Sequence, residues 1–253
     1  MLKSKLKAVL FGLSIALALP AAQTAVAQDK ELIVATDTGF VPFEFKDGDK
    51  YTGFDIDLFE AIAKEAGIKF KWQPMDFNGI IPGLQTKNLD AAIAGITIKE
   101  ERKAVVDFSD PYYDSGLAIL VMAKDADKIK SLEDLKDKEI AVKTGTGSVD
   151  FVKENIPSAK TKLFPNIDNA FLDLQTGRVD AVVHDTPNVQ YYANTAGKGR
   201  VAVTAKLRSG DFYGIAFPKG SDLVEKVNAA LKTLRDNGEY AKIHAKWFGD
   251  NAQ

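Results

Sequence analysis

No cysteine occurs in the 253 residues. That excludes disulfides, thiolate metal sites and an anchor lipid attached through cysteine. Histidine is nearly missing too, with only His184 and His244. Two histidines so far apart argue against zinc, and no metal or other cofactor is expected. Neither sign of charge dominates: 33 Lys and Arg stand against 35 Asp and Glu, a net charge of −2. No basic surface for nucleic acid can be drawn from that balance. Long apolar runs are scarce as well. The clearest, from Ala8 to Leu19, is about a dozen residues, too short to span a bilayer comfortably.

What is present begins with that run. Lys3, Lys5 and Lys7 precede it, Pro20 follows it, and Ala25-Val26-Ala27 places small residues where a signal peptidase reads. Residues 1–27 are therefore expected to be a cleaved export signal, cut after Ala27. Its removal takes away three lysines and no acid, leaving 30 basic and 35 acidic side chains, a net charge of −5. An exported chain with no lipid anchor is best retained between two membranes, so the periplasm is expected. About 226 residues can bury one or two ordinary cores without disulfides.

The remaining chain alternates strand and helix signals. Glu31 to Thr36 reads as a strand ending in Asp37-Thr38-Gly39-Phe40. Asp37 stands at a strand's carboxyl end, where open α/β sheets place ligand groups; a turn or cap role is the alternative. Val41 to Phe45 alternates, and Asp47 to Lys50 is a turn between two short strands. Phe54, Leu58 and Ile62 define a helical face that Gly67 closes, with Asp55 and Asp57 in its first turn as structural acids. Ile68 to Gln73 is the next strand. Asn78 is a candidate cap for the short helix to Gln85, and Phe77 is either a pocket wall or core packing.

Leu89 to Tyr113 holds the densest set of chemical signals. Ala91 to Ala94 suits a short buried strand, and Gly95 permits close approach to the backbone. Thr97 and Glu100 have capping-box spacing, which predicts a helix starting at Thr97 and carrying Arg102. A capped helix end beside a guanidinium would receive an anion such as a carboxylate. The alternative is a surface Arg102 paired with Glu101 or Asp107.

Leu84-Gln85-Thr86-Lys87-Asn88-Leu89-Asp90-Ala91 returns ninety positions later as Leu174-Gln175-Thr176-Gly177-Arg178-Val179-Asp180-Ala181. Both copies lead into an apolar strand, which points to two lobes of similar βα plan. The echo sets His184-Asp185 opposite Ala94-Gly95. Leu117 to Met122, Glu139 to Lys143, a strand ending at Phe164, and Val179 to Val183 are the second lobe's strands. Ser131 to Leu135 is a brief capped helix, Asn166 or Asp168 caps a helix to Gln175, and Thr186 to Thr195 forms another. Thr144-Gly145-Thr146-Gly147-Ser148-Val149-Asp150 opens a helix but lacks the third glycine of a dinucleotide loop, which leaves it suited to a small anion. His184 and Asp185 would point to opposite strand faces, and no nucleophile completes a catalytic set around them. Asp114 to Ile119 and Ser209 to Phe217 read as a pair of interlobe crossings. Ser221 caps a long helix carrying Leu223, Val227 and Leu231. The last helix carries Tyr240, Ile243 and Trp247, with His244 at the surface.

Val34-Ala35-Thr36-Asp37, Phe40-Val41-Pro42-Phe43-Glu44-Phe45, Pro74-Met75-Asp76-Phe77, Ala94-Gly95-Ile96-Thr97 with Arg102, Phe108-Ser109-Asp110, Val142 to Asp150 and Val183-His184-Asp185-Thr186-Pro187-Asn188 together carry a resemblance. They resemble the periplasmic glutamine-binding proteins of bacterial ABC importers, within family 3 of the solute-binding proteins. The resemblance spans nearly the whole mature chain. It implies an α/β, two-lobe type II periplasmic binding fold, with two parallel-sheet lobes, each holding one antiparallel strand, joined by two hinge strands. The large lobe would comprise 28–111 and 214–253, the small lobe 117–208, with hinges near 112–116 and 209–213.

The resemblance also implies roles. Arg102 would hold a ligand carboxylate, with backbone at Thr97 and Gly147. Asp185 would hold the ammonium, with the Gly95 carbonyl and the Thr97 hydroxyl. Asp37 and Lys143 would take the side-chain amide, Phe40 and Phe77 would sandwich the aliphatic part, Ala94 would line the floor, and His184 would support. The implied partners are L-glutamine and an inner-membrane permease, with the protein a monomer and not an enzyme. Three alternatives stand beside this: a binder of another amino acid such as glutamate or a basic one, a sensor reporting to a membrane receptor, and a periplasmic enzyme on the same fold.

Overall fold

The computed structural model describes residues 31–249. The expected export signal lies outside the described residues, and no described helix is long and apolar enough to cross a membrane. In chain order the first half contains β1 (Leu32–Thr36), β2 (Gly39–Phe40), β3 (Glu44–Asp47), β4 (Lys50–Thr52), α1 (Phe54–Ala66), β5 (Phe70–Pro74), α2 (Ile80–Gln85), β6 (Ala91–Ala92), α3 (Glu100–Lys103) and β7 (Val106–Phe108). Then come β8 (Tyr113–Met122), β9 (Glu139–Lys143), α4 (Gly147–Asn155), β10 (Lys160–Phe164), α5 (Ile167–Gln175), β11 (Ala181–Asp185), α6 (Thr186–Asn194) and β12 (Val201–Tyr213). The described residues close with β13 (Ala216–Pro218), α7 (Leu223–Asp236) and α8 (Glu239–Phe248).

Two five-stranded sheets organise two lobes, in the orders β5-β1-β6-β13-β7 and β10-β9-β11-β8-β12. In each sheet the fourth strand alone runs against its neighbours. The middle strands, β6 and β11, are the two that follow the repeated segment. A small antiparallel sheet, β2-β3-β4, sits beside the first lobe.

The second sheet is buried on both faces. Ala118 and Leu120 of β8 join a core with Phe171, Leu174 and Val189. Ile119 and Val121, between them in sequence, join another with Ile140, Val142 and Val152. Alternate residues thus face helices on opposite sides, which is why β8 reads as an uninterrupted apolar run. In the first lobe α1 buries Phe54, Leu58, Phe59 and Ile62 against α7 and α8. Each such side chain contributes about 1.5–3 kcal/mol. Gly67 ends the helix at φ 65, and its N–H bonds back to Lys64 O while that of Ile68 reaches Ala63 O.

Several local expectations are corrected. Thr97 does not start a helix. It bridges Tyr213, while Ile98 N donates to Phe212 O at 2.8 Å and Gly214 N to Ile96 O at 3.0 Å. The returning crossing strand holds 96–98 extended, so α3 waits until Glu100 and is a single turn. Asn78 sits inside a 3-10 turn, Phe77–Gly79, rather than capping α2. The turn over Glu133–Leu135 is also 3-10, held by Ser131 Oγ and Lys130 N donating to Asp134. The long helix begins after Asp222, and the Ser221 hydroxyl accepts only the Leu223 N–H, at 3.3 Å. β6 is two residues long rather than four. β8 starts at Tyr113, not Leu117, because the two crossings pair with each other: Tyr113 with Tyr213, Asp114 with Phe212, Ser115 with Asp211. His244 is half-buried among Phe54, Tyr113, Tyr240 and Phe248. Its apolar surroundings pull its pKa below the ordinary histidine value.

Candidate ligand-binding site

A small cavity lies between the lobes, at the carboxyl ends of the parallel strands. Asp37 follows β1, Phe40 ends β2, and Phe77 follows β5. Ala94, Gly95 and Thr97 follow β6, and Arg102 lies in α3. From the second lobe come Lys143 at the end of β9, Gly147 at the start of α4, and His184 and Asp185 at the end of β11. All eleven residues singled out in the sequence line this cavity.

Arg102 is buried, which removes the surface-pair alternative. Its Nη1 donates to Thr97 O at 2.9 Å and its Nη2 crosses to the other lobe, donating to Gly145 O at 3.0 Å. Burial pulls its pKa down, yet an arginine stays cationic in this range. Its guanidinium carbon stands 5.5 Å from the Phe77 ring centre, a cation–π distance.

Asp37 accepts from the Lys143 ammonium across the lobes, and the Thr38 N–H donates to its second oxygen at 2.7 Å. Side-chain exposures of 3% and 2% leave that pair almost no water. Burial raises the Asp37 pKa more than the Lys143 charge lowers it. Lys143 Nζ is 5.7 Å from the ring centres of both Phe40 and Phe77, so the aromatic walls flank the ammonium.

Asp185 Oδ2 accepts from the Tyr213 hydroxyl at 2.6 Å. Burial pushes its pKa up to about 6, against the lowering by Tyr213 and Arg102. Strand alternation predicts opposite faces for His184 and Asp185, but both reach the cavity at the strand's end. They are 3.8 Å apart at their nearest polar atoms, too far to hydrogen-bond. Among the described residues, no group hydrogen-bonds to either ring nitrogen of His184. Burial and the Lys143 charge hold its pKa well below the ordinary value, so the imidazole is neutral.

Gly95 has φ +53, and a Cβ there would sit 2.4 Å from Phe40 Cε1. The left-handed backbone and the aromatic contact each require glycine.

Sequence reasoning misses Thr146, which also lines the cavity. It precedes α4, and its hydroxyl donates to Lys143 O at 2.8 Å. A hydroxyl just before a helix in a Gly-rich turn is a readable signal. Asn188 is missed as well. Its side-chain amide crosses between lobes to Val41 O at 2.6 Å, and only the fold brings that pair together.

Around this cavity stand two cations, two carboxyls, a neutral imidazole and two aromatic walls. Such a set can hold a small zwitterion by both ends and pack a short apolar chain between them.

Residues 32–250 match the family described as bacterial extracellular solute-binding proteins, family 3. The chain is 38% identical over 223 residues to the arginine-binding extracellular protein ArtP of Bacillus subtilis (strain 168), covering 87% of this chain and 86% of that one. A solved structure described as an ancestral arginine-binding protein bound to glutamine is 49% identical, covers 87% of this chain and 98% of its own, and superposes with a TM-score of 0.81. Another, described as an ancestral arginine-binding protein bound to arginine, is 48% identical over the same shares, with a TM-score of 0.82. The protein therefore belongs to family 3 of the bacterial extracellular solute-binding proteins and has their two-lobe, type II periplasmic binding fold.

Proposed function

We propose that this protein is the periplasmic binding component of an ABC amino-acid importer and that its ligand is L-glutamine. The observation that carries the choice of ligand is Lys143, a buried cation paired with Asp37 and flanked by Phe40 and Phe77. Arg102 takes the α-carboxylate and Asp185 the α-ammonium. A tail that reaches Asp37 and Lys143 needs one donor and one acceptor, which a carboxamide supplies. An arginine tail would bring a second cation to Lys143, and a glutamate tail a second anion to Asp37. His184, with two unmatched ring nitrogens, supports the same end.

The names of relatives favour a second reading, arginine. The cationic Lys143 is the reason to rank it below glutamine. Binding without turnover fits a cavity whose charged groups all match charges or dipoles of an amino acid.

The lobes are taken as 28–111 with 214–253 and as 117–208, with hinges near 112–116 and 209–213. Support comes from the two chain crossings between the sheets. Ligand bridges Arg102 of one lobe and Asp185 of the other and so favours closure. A monomer would deliver its ligand to a membrane permease.

Calorimetric titration with glutamine, glutamate, arginine, lysine, histidine and cystine tests the ligand. Glutamine is expected to bind tightest and to be recovered unchanged by mass spectrometry. Tighter binding of arginine, or equal binding of glutamate, would overturn the assignment.

A further inference from the structure

Two acids outside the cavity never reach water. Glu44 on β3 and Asp55 in the first turn of α1 are both fully buried. Asp55 Oδ2 accepts from the Gly95 N–H at 2.9 Å and from the Tyr112 hydroxyl at 2.7 Å. Among the described residues, no amide, ammonium or hydroxyl donor meets Asp55 Oδ1 or either oxygen of Glu44. The Asp55 N–H donates to Phe43 O at 2.8 Å, which sets the two carboxyls next to each other in the core. Carboxylates only accept, so two side by side require a proton on one of them.

The surroundings cannot neutralise a second negative charge. Asp37 and Lys143 face Glu44, but they already pair with each other. Tyr112 donates to Asp55, and Tyr113, Tyr213 and Tyr240 lie within reach of its charge; burial raises the pKa of each, so they stay neutral.

We propose that Glu44 and Asp55 share one proton and act as a positioning pair for the Gly95 peptide in the wall of the cavity. The Asp55 carboxylate keeps the Gly95 N–H on the core side. That donor is then withheld from the cavity, where a ligand ammonium calls for acceptors. Glu44, held neutral, donates to Asp55 and fixes its orientation. The link to ligand rests on the amino-acid-binding reading; the shared proton does not. Burial pushes Asp55 up to about 6 and Glu44 well above the usual carboxyl range, with the Asp55 charge adding to the latter.

A carboxyl with a raised folded pKa leaves stability intact at acid pH and erodes it as pH rises through that pKa. Thermal unfolding of the full chain between about pH 5 and 9 is expected to show stability falling as pH rises, with a shallower fall in Glu44→Gln. The glutamine amide still donates to Asp55 but has no proton to lose. Parallel profiles for the two proteins would overturn the proposal.

Infrared spectroscopy of the unaltered protein at neutral pH decides the matter even if the variant fails to fold. A protonated carboxyl stretch is expected, and its absence would overturn the shared proton. Asp55→Ala is expected to weaken binding of the tightest amino acid by about tenfold or more, the worth of a charge-assisted hydrogen bond. Unchanged affinity would overturn the positioning role. If no amino acid binds, the ligand reading falls, while the pH profile and the infrared band still decide the pair.

Discussion

The two five-stranded sheets share the order of their three parallel strands and the position of the antiparallel one, yet their middle strands end differently. Past β6 the chain offers Ala94, Gly95 and Thr97, mostly small groups and backbone. At the end of β11 it offers His184 and Asp185, a large ring and a charge. The first lobe compensates with Arg102 and Asp37, the second with Lys143. Each lobe thus contributes one cation and one carboxylate. In the proposed assignment the two ends of a zwitterion are shared between the halves, the carboxylate going to Arg102 and the ammonium to Asp185.

Removing a charge from one half should break this comparison most visibly. Arg102→Ala leaves a ligand carboxylate buried without its partner. It is expected to cost about 2–5 kcal/mol of binding, a factor of thirty or more in Kd, measured by calorimetry. Lys143→Ala should change preference rather than simply weaken binding. Glutamine is expected to lose about tenfold or more, the worth of a hydrogen bond to a charged group. Arginine is expected to gain relative to glutamine, because Asp37 is freed for a cationic tail. An unchanged arginine-to-glutamine ratio would remove Lys143 as the selective group.

The acid of the second half has a pH signature. Asp185 is raised to about 6, so its proton must leave before it can hold an ammonium. Affinity should therefore rise from pH 5 to 7, by about tenfold. In the ligand-free protein the sign is reversed: the buried charge erodes stability as pH rises through 6, and a bound ammonium relieves it. Calorimetry and thermal unfolding at the two pH values check both directions.

The smallest effect should come from a contact between the halves that touches no ligand. Asn188→Ala removes the bond to Val41 O across the lobes. It is expected to weaken all amino acids alike, by severalfold, in line with a net hydrogen bond of about 0.5–1.5 kcal/mol. A change in rank order would place Asn188 in the site instead.

Much of this is legible in the sequence. The echo from Leu84 and Leu174 leads to the two middle strands, because similar local patterns with apolar continuations fold alike. The eleven expected site residues converge on one cavity because ligand groups in α/β sheets gather at strand ends, and strand ends are marked by Gly, Thr and Asp. Misreadings fall where a distant strand overrides a local signal. Thr97 and Glu100 have the spacing of a cap, but Tyr213 pairs with Thr97 first. His184 and Asp185 alternate as strand neighbours, but at the last residues of β11 both side chains can turn into the open end.

By itself the sequence determined the alternation of strands and helices, the doubling of the plan and the kinds of charge available, since these depend on local pattern and composition. Tertiary structure alone decided which charges face each other, that Glu44 meets Asp55 in the core, and that Asn188 reaches Val41. Those pairings join residues 11 to 147 positions apart. Only burial of the two sheets against their helices brings them within reach, and no local propensity encodes a distance that long.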